Sequence, residues 1–142
     1  MNWIKRIVFL GTEKEQLNRL AVIAEAEHLF DEADFEILLH EIGYSPGKSN
    51  REELANKYRE ELPDSPREKF QLSFSLVKRL MSNGGLSDGK EKVAYKLIQA
   101  MDLSREKARE LVSFIIMNIR NGLSLDDSYD RLGYLLETSK YI

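Results

Sequence analysis

Seven times along this chain a short polar residue able to cap a helix stands just ahead of a stretch with helical apolar spacing. Thr12-Glu13-Lys14-Glu15 has the capping-box form. In it the Thr hydroxyl and the Glu carboxylate each satisfy a backbone N–H that the first helical turn leaves without a partner. Ser49-Asn50-Arg51-Glu52 repeats the pattern. Ser65-Pro66-Arg67-Glu68 repeats it again, with Pro at the first helical position, where its missing N–H costs nothing. Asp31, Ser87, Ser104 and Ser124 are further N-cap candidates, and stops fall near Gly43, Pro63, Gly84–Gly85, Asp102 and Asn121-Gly122. Only three prolines interrupt 142 residues, so helices can run long and a turn-rich β fold is disfavoured. The reading is all-α: a compact bundle of about seven helices in a single domain over residues 1–142.

The apolar spacing agrees. Leu17, Leu20, Ala21 and Ala24 share one face of the first helix, and Phe35, Leu38, Leu39 and Ile42 one face of the second. Leu54 and Tyr58 give the third a thin stripe, which places it on the surface. The fourth carries Phe70, Phe74, Val77 and Met81 beside Leu72, Leu76 and Leu80. The sixth carries Leu111, Val112, Phe114, Ile115, Ile116, Met117 and Ile119. Helices apolar over so much of their circumference are central ones, so residues 66–82 and 104–120 are expected at the middle of the bundle. Leu125, Leu132, Leu135 and Leu136 mark the seventh. Residues 1–11 form an N-terminal apolar segment, helical or extended, that packs on the bundle or docks beside it.

Residues 17–45 and 73–104 share a plan: apolar helix, polar hinge, N-cap, second helix, short turn ending in Ser. Phe30 precedes the cap Asp31, and Leu86 precedes the cap Ser87, each placed as a hydrophobic staple. The first hinge is Ala26-Glu27-His28-Leu29-Phe30-Asp31-Glu32-Ala33-Asp34; the second is Ser82-Asn83-Gly84-Gly85-Leu86-Ser87-Asp88-Gly89-Lys90. This doubled hinge resembles that of the tellurite-resistance TerB-like domains and the related segment of DjlA-type membrane co-chaperones. Their hinges have the form Ala-Asp-Gly-x-Ile-(Asp/Ser)-x-x-Glu. Glu27 stands where that family has Asp, His28 where it has Gly, and Asp34 where it has Glu. In the second hinge Asn83 replaces the acid, Gly84 is kept, and Lys90 replaces the final Glu. The resemblance covers roughly residues 12–138. It implies a helical bundle from a bacterial stress response, working in multiprotein, often membrane-linked, assemblies. It also implies a metal-binding or anionic surface at the hinge acids, which here falls on Glu27 and Asp34 and cannot fall on Asn83 or Lys90.

The residues that carry chemistry elsewhere are sparse. There is no cysteine, which excludes disulfides, thiol catalysis and thiolate metal sites. Gly84-Gly85-Leu86-Ser87-Asp88-Gly89-Lys90 has the spacing of a phosphate-binding loop, but Glu91 stands where a hydroxyl is required and the segment follows a helix. It reads as a glycine stop followed by a Ser cap. Glu25, Glu27, His28, Asp31, Glu32 and Asp34 form the densest acidic cluster, without the alternating acids and central Gly of a calcium loop. They suit the N-terminal end of a helix dipole, or a cation site with Glu27, Asp31 and Asp34 as ligands. His28 and His40 lack a third soft ligand in register, and Asp126, Asp127 and Asp130 read as acids capping the last helix. No nucleophile elbow or oxyanion loop is present.

The expected function is therefore that of a non-enzymatic interaction or scaffold domain whose partner is another protein. The alternative is a divalent-cation-binding stress or sensor protein; no other cofactor is expected. Trp3, Ile4 and Ile7, beside Val8, are the candidate docking strip, and Tyr129, Tyr134 and Tyr141 either line a binding face or close the bundle. A net charge of −3 with Lys and Arg scattered among acids argues against nucleic acid. The sequence has no run of roughly 18 apolar residues, the length needed to cross a membrane. The N-terminus has too short an apolar run for a signal peptide and is read as mature sequence, in keeping with a cytoplasmic protein.

Overall fold

A computed structural model describes residues 12–47, 50–82 and 85–131. The architecture is all-α, and no strand occurs among the described residues. In chain order the helices are α1 (Glu13–Ala26), α2 (Glu32–Ile42), α3 (Arg51–Glu60), α4 (Pro66–Met81), α5 (Asp88–Gln99) and α6 (Arg105–Arg120). A seventh, α7, begins at residue 125 and is described to residue 131. None of the six bounded helices is long and apolar enough to cross a membrane. Trp3, Ile4, Ile7, Tyr134 and Tyr141 lie outside the described residues, as do Leu132, Leu135 and Leu136.

Local chemistry starts the helices where the caps stand. Thr12 and Glu15 form both arms of their capping box, at 3.0 and 3.3 Å. Ser65, Ser87, Ser104 and Ser124 each accept the N–H three residues ahead. Asp31 does so as part of a second full box, whose other arm is Asp34 rather than a Glu or Gln. Phe30 then packs edge-on against Phe35, centroids 5.6 Å apart, which is the staple its position predicts. The exception is α3. Its N-cap is Asn50, which is left-handed (φ 57°) and makes no side-chain cap; Ser49 lies outside the described residues.

The helix ends are equally local. α1 closes with Leu29 N–H on the Ala24 carbonyl at 3.1 Å and α6 with Leu123 N–H on Asn118 at 3.0 Å. Both closures need a residue of positive φ just past the helix. Gly122 supplies it at α6 (φ 75°) and His28 at α1 (φ 59°), so His28 holds a conformation for which glycine is the default residue.

The core runs through Leu17, Leu20, Ile23, Leu38, Phe70, Leu76, Leu80, Leu97, Ile98 and Ile115, each essentially sealed from solvent. α4 and α6 pack against each other as expected of central helices, but the hub is α5, which touches α1, α2, α4 and α6. α3 buries one residue, Ala55, as its thin stripe predicts, and does so against α1. Leu39 departs from expectation. It is 56% exposed, because the buried row of α2 runs Asp34, Leu38, Ile42, spaced four apart, and an acid takes the place an apolar residue would fill.

Candidate functional site

The acidic hinge is built into the joint between the two hairpins. α5 lies against α2 and brings three lysines to it. Lys96 Nζ donates to Asp34 Oδ2 at 2.6 Å, Lys92 to Asp31 Oδ2 at 2.7 Å, and Lys90 lies 3.5 Å from Glu41. The first and last are interior pairs: the Asp34 side chain is 2% exposed and that of Glu41 4%. Lys90 also donates to the Leu80 carbonyl of α4, tying a third helix to the joint. Taking an ion out of water is costly unless its partner and hydrogen bonds are in place, and here both are.

The Glu27, Asp31 and Asp34 side chains are thus each placed against a cation of the protein. Glu27 pairs with Arg59 at 3.2 Å, Asp31 with Lys92 and Asp34 with Lys96. No group of three or more His, Asp or Glu side chains gathers among the described residues as a metal would require. Hard cations take six or more oxygens, and these carboxylates do not fit such a shell. His40 is turned to solvent beside Glu41 at 3.6 Å. Asp126 pairs with Arg67 at 2.5 Å. Ser87 of the Gly-rich stretch serves as the α5 cap.

The Lys92 ammonium, through its hydrogen bond, together with the Asp34 N–H, holds the Asp31 carboxyl down at about 2, against an ordinary 3.8. A carboxylate whose pKa is lowered by folding adds stability that is complete above its unfolded value and is lost as pH falls through the folded one. The Asp31 contribution is therefore full above about pH 4 and fades toward pH 2. A carbon-detected titration of the Asp31 carboxyl is expected to show its midpoint near 2. In Lys92→Met the midpoint rises toward 3.8. An unchanged midpoint would mean that the ion pair does not form.

A second constellation was not anticipated from the sequence. Between α1 and α3, closed at one end by the α2–α3 loop, lies a cleft of about 360 Å³. Glu15, Arg19 and Val22 of α1 line it, with Tyr44 and Ser45 of the loop and Arg51, Leu54 and Tyr58 of α3. Two arginines lie on tyrosine faces there: Arg51 over Tyr44 at 5.6 Å and Arg19 over Tyr58 at 5.9 Å. Such stacking favours a guanidinium while leaving its edge able to donate. Glu25 anchors the loop from beneath. It accepts a short hydrogen bond from the Tyr44 hydroxyl, and the Gly47 N–H reaches both its oxygens at 3.3 Å. Burial, reinforced by this carboxylate, pushes the Tyr44 hydroxyl well above the usual phenol range.

Comparison of the chain with protein-family models, with curated proteins and with solved structures found no match to any of them.

Proposed function

We propose that this chain is a non-enzymatic interaction domain of TerB-like type, a cytoplasmic scaffold in a bacterial stress response. It docks another protein in the cleft between α1 and α3. The observation that carries this reading is the pair of Arg–Tyr stacks lining one open cleft. Tyr and Arg are the residue types that dominate protein–protein hot spots, because each offers a large rigid surface with a polar edge. The lysine–carboxylate joint supports it, since it fixes the two hairpins against each other and presents the cleft on a rigid frame. The hinge plan supports the family, His28 holding a positive φ where the resembling domains carry Gly.

The test places a photo-crosslinking residue at exposed Ser45 on the cleft rim, and separately at Met117 on the exposed side of α6. Each protein is then irradiated in an extract of the source cells. A discrete adduct from position 45, absent from 117 and competed by unlabelled native protein, is the expected result. No adduct, or the same adducts from both positions, would sink the reading. Thermal melts with calcium, magnesium, manganese and zinc accompany it, and none is expected to move the midpoint. A cation at about 100 times its dissociation constant adds roughly 2.7 kcal/mol, a shift of several degrees. Such a shift, abolished in Asp31→Ala, would replace the docking reading with cation binding.

A further inference from the structure

Arg19, Arg59, Arg67 and Arg79 each lie beside a carboxylate. Arg105 and Arg109 of α6 do not. Both are exposed, and neither guanidinium makes an ion pair or a hydrogen bond among the described residues. Glu106 and Glu110 follow them directly in the sequence, but adjacent residues on a helix point to different sides. What the two arginines share is one ring. Arg109 lies 5.6 Å and Arg105 5.9 Å from the centroid of Tyr95 on α5. Tyr95 is half-buried and packs on the core, so it is a fixed platform. A guanidinium held over a ring keeps N–H donors at its edge.

The arrangement is unfavourable in the free protein. Arg105 and Arg109 are one helical turn apart, where like charges repel. Arg105 also opens α6, whose N-terminal end is the positive end of the helix dipole. Lys92, three residues before Tyr95 on α5, is already paired with Asp31. The uncompensated charge is therefore that of the two arginines.

We infer that Arg105, Arg109 and Tyr95 form a docking surface for an acidic segment of a partner polypeptide, with one carboxylate on each arginine. The surface is built on α5 and α6 rather than on α1 and α3, and it does not rest on docking in the cleft. Charge complementarity carries it. Four residues of helix rise about 6 Å, close to the spacing of alternate residues in an extended segment. The Tyr95 ring adds a flat apolar surface beside the charges, and Tyr and Arg are the types enriched at binding hot spots. The net charge of −3 disfavours a long polyanion such as nucleic acid.

The test titrates the full chain, labelled with ¹⁵N and ¹³C, with a blocked peptide carrying Glu at alternate positions and with its Gln counterpart. The Glu peptide is expected to shift the Arg105 and Arg109 Nε–Hε signals and the Tyr95 ring signals saturably. Its affinity falls as salt rises from about 50 to 200 mM. The Gln peptide is expected to leave all three residues unmoved. Arg105→Gln combined with Arg109→Gln weakens binding about tenfold or more, the scale of lost charged hydrogen bonds. Its melting midpoint holds or rises, because the repulsion leaves with the charges.

Arginine signals that stay still, equal shifts with the Gln peptide, or full affinity in the double variant would overturn the assignment. A midpoint several degrees lower in that variant would overturn it too, by showing that the arginines serve the fold. Single-stranded DNA of matched length and phosphatidylglycerol vesicles are run beside the peptides. Tighter binding of either, lost in the double variant, would make this a nucleic-acid or membrane surface instead. The Ser45 adduct reports on the cleft alone, so failure of either experiment leaves the other reading standing.

Discussion

Asp34→Ala is expected to cost about 3 kcal/mol, near the lower end for breaking a buried ion pair. The midpoint of thermal unfolding falls by on the order of 10 °C. The side chain it removes is 2% exposed, bonds Lys96 at 2.6 Å and completes the α2 capping box through the Asp31 N–H at 2.9 Å. What it leaves is an ammonium only 13% exposed that has lost its hydrogen-bonded carboxylate. Lys96→Ala is expected to be comparably damaging, because it strands the carboxylate. Asp34→Leu combined with Lys96→Met recovers much of the loss, since an interior pair replaced by apolar groups of similar size is often neutral or better. Urea denaturation of the four proteins checks this. A loss below about 1 kcal/mol in Asp34→Ala is the value of an exposed pair and would mean the joint is solvated.

Phe70→Ala is expected to be as large or larger, about 3–5 kcal/mol, through cavity formation. Phe70 is 1% exposed. Its ring meets Phe74 at 6.0 Å and Tyr129 of α7 at 5.5 Å, and Arg67 lies 4.8 Å over that tyrosine. It therefore joins α4 to α7, and removing it opens a void between elements that a local shift cannot fill. Phe70→Leu keeps much of the volume and should cost less than half as much. A denaturant midpoint that falls with an unchanged slope is the expected form. A loss of about 1 kcal/mol would mean that α7 closes over the gap.

What was legible in the sequence is what is decided within a few residues. A cap and its target N–H are three positions apart, so Thr12, Ser65, Ser87, Ser104 and Ser124 behave as their spacing says. At α3 the N-cap position is taken by Asn50 in the left-handed region, which Asn tolerates better than most residues. The α2–α5 joint was not legible as a joint. Lys92 and Lys96 find their partners 61 and 62 residues away, and no local spacing ties either lysine to its carboxylate. One signal was available: Asp34 stands four residues before Leu38 and eight before Ile42, on the row that points inward. In the cleft, Arg51 read as one member of a charged surface helix, and nothing local ties it to Gly47 or Tyr44, which a loop brings beside it.

The lysine–carboxylate joint also sets how this chain can change over generations. Residue 34 cannot lose its acid before residue 96 loses its amine without passing through a destabilised intermediate, and the reverse order is no easier. Residues 41 and 90 are bound by the same constraint. Drift at these positions is therefore expected in pairs, charge for charge or apolar for apolar, across helices distant in the sequence. Lys92, 40% exposed, is free to wander singly, whereas Asp31 is held to a short capping residue by its place at the start of α2.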